Sequence, residues 1–340
     1  MSITKSPIEP MEAKLVDALP KDDGWQFEPK WDGFRCIAVR RGADVALFAK
    51  SGKVLHRYFP EIVAALGDLK ADNFVLDGEL IVPNEQRVDF DVLQQRLHPA
   101  DSRITKLSVE TPALLVLFDA LEVGGKALTD EPLNKRRTAL DAFVKANPSP
   151  ILRLSPFTLK AEEAEHWLSH GASSLDGVVA KRVDGAYQPG VRAMLKVKNI
   201  RTADCVVGGF RYGTGSKTVA SLLLGLYDDA GKLHHIGFTS GLSKEDKPAL
   251  TKKLEHLKGE GFTGNAPGGP SRWATERSAE WVPLKPELVV EVSYDHVSGG
   301  RFRHGTGLVR WRPDKSPKQC TLEQISPAAA APIVGKVLAG

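Results

Sequence analysis

A lysine acts as a nucleophile only where its ammonium form is discouraged. Its free pKa is near 10.4, so at about pH 7.5 roughly one side chain in a thousand is neutral. Lys30 lies within Glu28-Pro29-Lys30-Trp31-Asp32-Gly33-Phe34-Arg35, between the apolar runs Trp25-Gln26-Phe27 and Cys36-Ile37-Ala38-Val39. Both runs have β-prone composition and Asp32-Gly33 is a turn signal, which predicts a strand ending at Lys30, a tight turn and a returning strand that starts near Arg35. The octet alone is equally compatible with an ordinary hairpin carrying a solvated Lys and Arg. Downstream, Asp77-Gly78-Glu79, Asp119, Asp176 and Lys181 supply further charged groups, and Met194-Leu195-Lys196-Val197-Lys198 alternates apolar and basic residues. That alternation puts Lys196 and Lys198 on one face of a strand. Such a pair could supply the neighbouring positive charge that lowers the pKa of a lysine, or could be no more than a solvated strand face.

The elements that must position these residues are short. Val45–Ala49 reads as a strand, and residues 58–69 have helical spacing with Pro60 in the first turn. Residues 74–82 read as strand, Asp-Gly turn and strand, residues 90–97 as a helix, and Ala113–Asp119 as a buried strand. Helices are predicted over residues 133–145 and 161–170, the first ended by Asn147-Pro148 and the second by Gly171. Strands and helices without a βαβ rhythm predict an α+β first domain, residues 1–200, built on antiparallel sheets with flanking helices. Asn199–Ala203 reads as a junction. Beyond it, β-like runs at 205–210, 221–227, 235–238, 288–294 and 307–311, with one helix at about 243–257, predict a small β-barrel of OB-fold type over residues 201–326. Residues 327–340, opening Pro327-Ala328-Ala329-Ala330-Ala331-Pro332, are expected to be a flexible tail.

The composition excludes several classes. With 340 residues, 42% hydrophobic and 26% charged, the chain has the make-up of an ordered two-domain protein. No apolar run approaches the roughly 20 residues that cross a bilayer, and the N-terminus lacks an apolar export signal. Cys36, Cys205 and Cys320 form no CxxC pair, which argues against a disulfide framework or a zinc site and for a reducing cytoplasm. Of 46 Lys+Arg and 42 Asp+Glu, 19 and 14 lie from Arg201 onward, leaving 27 and 28 before it. The positive excess is therefore C-terminal, as expected of a part that meets a polyanion.

Lys30-Trp31-Asp32-Gly33-Phe34-Arg35 resembles the Lys-x-Asp-Gly-x-Arg motif of the covalent nucleotidyltransferases: ATP-dependent DNA ligases, RNA ligases and capping enzymes. Asp77-Gly78-Glu79, Phe118-Asp119, Asp176-Gly177-Val178-Val179-Ala180-Lys181, Lys196-Val197-Lys198 and Arg310-Trp311-Arg312-Pro313-Asp314-Lys315 follow in the family's order. The set is most similar to the small bacterial ATP-dependent DNA ligases, the ligase C type and the ligase part of ligase D. The resemblance implies that Lys30 takes AMP from ATP, passes it to the 5′-phosphate of a nick in duplex DNA, and that the 3′-hydroxyl then displaces it, as part of DNA repair. It further implies catalytic roles for Lys196, Lys198 and Arg35, and ATP or AMP contacts from Glu28, Arg35, Glu79, Phe118 (stacking on adenine), Lys181, Lys196, Lys198, Arg312 and Lys315. Mg²⁺, or Mn²⁺ in its place, would be held by Glu79, Asp176 and Asp32, and DNA by Lys50, Lys53, Arg301 and Arg303. The final motif is expected to swing over the active site, with the junction at 199–203 as a hinge. Two positions depart from the family: Asp176 stands where Glu is usual, and Lys50 where an Arg would offer a phosphate a bidentate fork.

The resemblance implies a monomer in the bacterial cytoplasm, associated with the nucleoid, with a repair polymerase or an end-binding protein as partner. An RNA ligase or capping-type enzyme, or a silent nucleic-acid-binding module on the same scaffold, are the alternatives. Gly213-Thr214-Gly215-Ser216-Lys217-Thr218 lacks the Gly before Lys of a phosphate loop and is read instead as a β-hairpin loop. The adjacent His234 and His235 face opposite sides of a strand, a poor geometry for one metal.

Overall fold

The two apolar runs that flank the octet enter different sheets. In the computed structural model, which describes residues 3–84, 87–170, 175–242, 245–268, 280–326 and 332–339, the strand Trp25–Lys30 pairs with Gly177–Arg182. The strand Phe34–Arg41 pairs with Asp44–Ala49 and Asn73–Ile81. The expected hairpin is therefore a crossover between sheets. Gly33 makes it possible: a Cβ there would lie 2.2 Å from the Leu80 carbonyl oxygen and 2.8 Å from the Glu79 side chain.

The chain forms two compact units, Met1–Asn199 with Ala328–Gly340, and Ile200–Pro327. In the first unit one sheet runs Ala13–Leu15, Met194–Lys198, Gly177–Arg182, Trp25–Lys30. The second runs Leu152–Leu154, Leu114–Val123, Asn73–Ile81, Phe34–Arg41, Asp44–Ala49. Both are antiparallel except at an edge, where Ala13–Leu15 and Leu152–Leu154 add in parallel. Long excursions of chain precede these parallel pairings, as a parallel neighbour requires.

Period-two alternation explains why the strands of the second sheet read as continuous apolar runs. Cys36, Ala38, Leu76, Leu115 and Leu117 face a core completed by Ile62 and Leu66 of the helix Pro60–Gly67 and by Leu140 and Phe143 of Leu133–Ala146. Ile37, Val39, Phe48, Val75 and Leu121 face the other way, onto Met11, Val179, Tyr187 and Met194. The helix Ala161–His170 covers the remaining face of the first sheet at Phe27, Val178, Ala180 and Val197. A helix over Asp101–Glu110 escapes the sequence reading because only Ile104 and Leu107 anchor it.

Asp77-Gly78 is no turn. Asn73–Ile81 is one strand, with a register shift against Leu114–Val123 between Asp77 and Gly78. Gly78 serves close approach instead, since a Cβ would lie 2.7 Å from the Val116 carbonyl oxygen. The expected flexible tail is also corrected over Pro332–Ala339, a helix whose Val334 and Val337 are buried in the first unit. The rest of that tail, 327–331 and 340, lies outside the described residues.

In the second unit a sheet runs Leu233–Thr239, Val219–Tyr227, Arg201–Tyr212, Val289–Tyr294, Gly307–Trp311. Among the described residues a single bridge, Thr239 to Thr306, links its two ends rather than a full ladder. The helix Lys247–Glu255 is capped by Asp246, whose carboxylate accepts from the Ala249 N–H; the start of the expected helix, residues 243–244, lies outside the described residues. Residues 213–218 join two antiparallel strands, so the phosphate-loop look-alike is a hairpin loop. Arg201–Ala203 already pair with Val292–Tyr294, which reduces the non-strand junction to Asn199–Ile200.

Candidate active site

The strand Gly177–Arg182 sets the register of the first-sheet residues. Gly177 is paired with Lys30 on one side and Lys198 on the other, and Val179 with Glu28 and Lys196. Lys30 and the pair Lys196 and Lys198 thus end up on the two strands that flank Gly177–Arg182. The Asp176 N–H donates to the Lys30 carbonyl at 2.8 Å, and the Asp176 carboxylate contacts the Lys30 amine directly. Lys198 Nζ lies 3.8 Å from the other oxygen of Asp176. Burial, then Lys30 and Lys198, hold the Lys196 ammonium below its usual pKa.

The second sheet contributes Arg35 and Glu79, cross-strand partners, and Phe118. With Glu28, Lys30, Lys181 and Lys196 they line a cavity of about 930 Å³, within the size range of small-molecule sites. Burial raises the Glu79 carboxyl to about 7, against the opposing pull of Lys30 and Arg35. Phe118 has Arg35 Cζ 4.7 Å and Lys181 Nζ 4.6 Å from its ring centroid. Lys181 Nζ also meets Glu28 Oε2 at 2.7 Å, while Gln26 Nε2 donates to Glu28 Oε1 at 2.7 Å, all three residues being buried. One wall of the cavity therefore carries a fixed set of donors and acceptors beside an aromatic ring, an arrangement suited to a flat heteroaromatic base.

A second network was not foreseen. Arg35 grips buried Asp77 with Nε at 2.5 Å and Nη2 at 2.6 Å. The Tyr187 hydroxyl donates to Asp77 Oδ2 at 2.7 Å and accepts from the Met11 N–H at 2.9 Å. Burial works against the Arg35 charge, but Asp77 more than offsets it and leaves its pKa raised. Tyr187 is pushed up by burial and then by Asp77. The sequence separation of 110 residues between Tyr187 and Asp77 leaves no local signal for this pairing. Asp119, beside Phe118, is likewise consumed by a buried pair with Arg136, at 2.8 and 3.0 Å.

Other expected residues lie apart from this set or are engaged. Lys50 pairs with Glu12 at 3.1 Å at the cavity edge, and Arg192 lies 3.5 Å from the same carboxylate; Lys53 lines the rim nearby. In the second unit Arg312 pairs with Asp204 at 2.7 Å and Asp314 at 2.9 Å, and Lys315 with Asp204 at 3.6 Å. Arg301 donates to His235 Nδ1 at 2.8 Å. Burial, then Arg301, depresses His235 to about 3. Arg303 has its Nε buried in the same unit. Among the described residues no group of three or more His, Cys, Asp or Glu is arranged to enclose a metal.

Residues 10–198 match the family model of the ATP dependent DNA ligase domain, and residues 215–315 that of the ATP dependent DNA ligase C terminal region. DNA ligase C1 of Mycolicibacterium smegmatis is 44% identical over 331 residues, covering 94% of each chain. The multifunctional non-homologous end joining DNA repair protein LigD of Mycobacterium tuberculosis is 30% identical over 89% of this chain and 38% of its own. The solved structure Pmar-Lig_PreS3 covers 90% of this chain and 68% of that one with a TM-score of 0.61, and at 19% identity speaks to the fold alone. The chain belongs to the ATP-dependent DNA ligases.

Proposed function

We propose that Lys30 is the residue through which this ligase works, in three transfers. The Lys30 amine forms an N–P bond to the α-phosphate of ATP as the bond to the β-phosphate oxygen breaks and pyrophosphate leaves. The AMP then passes from Lys30 to the 5′-phosphate of a nick, and the 3′-hydroxyl forms the phosphodiester as AMP departs. The observation that carries this reading is the contact of Lys30 with Asp176 where Lys30 lines the cavity of about 930 Å³, with Lys196 and Lys198 together on the next strand but one.

In this reading Phe118 and the Glu28–Lys181 pair receive adenine, Glu79 and Arg35 face the ribose, and Lys196 and Lys198 balance charge that builds on the α-phosphate. Arg312 and Lys315 keep the triphosphate role that the family resemblance gives them. Lys50, Lys53, Arg301 and Arg303 serve the DNA phosphates, with Lys50 exchanging Glu12 for phosphate. Mg²⁺ usually takes only one or two protein carboxylates and completes its shell with phosphates and water. Glu79 lies close enough to Lys30 and Asp32 to feel their charge, and Asp176 touches Lys30; in this reading one or two of these carboxylates would hold the ion. The ion would supply positive charge at the phosphate oxygens.

The second unit is read as an OB-fold whose two edge strands approach at Thr239 and Thr306. A nick in duplex DNA is the proposed substrate, in repair by analogy with the end joining and DNA repair in the name that LigD carries, with a polymerase or end-binding protein as the proposed partner. No helix among the described residues is long and apolar enough to cross a membrane. The enzyme is proposed to act as a monomer in the bacterial cytoplasm. ATP labelled on its α-phosphate tests the assignment: wild type takes up label and Lys30→Ala does not. Equal labelling of the variant would remove Lys30 from the chemistry.

A further inference from the structure

We propose that the C-terminal helix Pro332–Ala339 is a positioning element for nucleotidyl transfer, one that holds Lys30 against Asp176 through Trp31 and Leu175. The proposal rests on the reading of Lys30 as the nucleophile. Val334 is fully buried and Val337 is 9% exposed, in one apolar cluster with Trp31, Leu175, Ile81, Leu114 and Val116. Trp31 directly follows Lys30 in the chain, and Leu175 directly precedes Asp176. The helix, which packs against Leu152–Leu154 and Arg87–Val88, thus shares one apolar cluster with the residues next to both partners of the Lys30–Asp176 contact.

The backbone around these partners is tied in a way that transmits such packing. The Asp176 N–H donates to the Lys30 carbonyl at 2.8 Å, the Asn199 N–H to the Asp176 carbonyl at 3.2 Å, and Asn199 Nδ2 to the Leu175 carbonyl at 3.2 Å. Trp31 Nε1 donates to the buried Ser155 hydroxyl at 3.0 Å, which fixes the indole in its slot. Two other members of the cluster lie on strands that also carry cavity-lining residues. Ile81 lies two residues beyond Glu79 on its strand, and Val116 two residues before Phe118. A shift of the indole or of Leu175 therefore moves the amine relative to the carboxylate, and misplacement by about 1 Å can cost a reaction on the order of a hundredfold.

The helix cannot hold its shape by propensity. Eight residues are too few for a stable helix in water, so its formation depends on the docking of its apolar face. Pro332 at the first turn and Val334 and Val337 on one side suit that docking, whereas the exposed Lys336 lies on the other.

The test uses the full chain with V334S/V337S, and V334I/V337I as the conservative control. Two rates are measured: single-turnover labelling of the enzyme by α-labelled ATP, and sealing of a nick that already carries a 5′-adenylate, which bypasses Lys30 chemistry. The polar pair is expected to slow labelling about tenfold while sealing stays within about twofold, and the Ile pair to retain both rates. If the polar pair does not fold, V337S alone, at the cluster edge, is taken through the same two measurements. Unchanged labelling overturns the proposal, as does an equal fall in both rates, which marks a merely structural helix. Absence of labelling in wild type would instead overturn the reading of Lys30.

Discussion

Asp176 lies directly against the Lys30 amine, although 146 positions separate the two in the chain. The contact is built by sheet register, since Gly177 is the cross-strand partner of Lys30. It gives the shorter carboxylate a reach that its side-chain length alone would not suggest.

Removal of that charge should hurt chemistry more than folding. Asp176→Asn is expected to lower the rate of enzyme labelling by α-labelled ATP about a hundredfold, with its denaturation midpoint near wild type. Asp176→Glu should keep at least about a tenth of the rate, because it retains the carboxylate with one more methylene. Wild-type labelling by the Asn variant would separate Asp176 from the reaction.

Glu79 predicts a pH dependence of stability. Its carboxyl is raised from 4.5 to about 7, first by burial, so between these values the folded state binds more protons than the unfolded state. Stability contributed by this group is full below about pH 4.5 and is lost as pH rises through about 7. Glu79→Gln, which mimics the neutral form, should match wild type in melting temperature near pH 5 and exceed it near pH 8. A gap that shrinks with rising pH would contradict the sign.

Tyr187→Phe removes one hydroxyl that serves two buried groups, the Asp77 carboxylate and the Met11 N–H. Leaving such groups underserved costs about 1–3 kcal/mol. Urea titration should register that loss, and a change below about 0.5 kcal/mol would show the network to be dispensable.

The Asp119–Arg136 pair, each 1% exposed, should reveal itself by coupling. Asp119→Asn is expected to cost about 3–5 kcal/mol, because it strands a buried guanidinium. Asp119→Leu with Arg136→Met should cost clearly less than the two single changes together. Simple additivity in denaturation curves would mean that the two charges act independently.

The candidate site was legible where chemistry is written in short, ordered stretches. Lys30, Glu79, Phe118, Lys181, Lys196 and Lys198 come from such stretches, and the fold brings them to one cavity or its edge. Local pattern also located most strands and helices, since alternation and helical spacing depend on near neighbours in the chain. It failed at Asp32-Gly33 and Asp77-Gly78 for one reason. Glycine marks both a tight turn and a close approach of backbones, and only the partner strand distinguishes them. At Gly33 and Gly78 the partner is a carbonyl oxygen that leaves no room for a Cβ.

By itself the sequence determined the reactive groups and their order along the chain. Tertiary structure decided which sheet each one joins, that Asp176 meets Lys30, that Asp77 is shared by Arg35 and Tyr187, and that the last eight described residues join the apolar cluster of Trp31. These are pairings between distant segments. Their free energy comes from burial and complementarity that exist only once both partners are in place, so no local pattern in the chain can encode them.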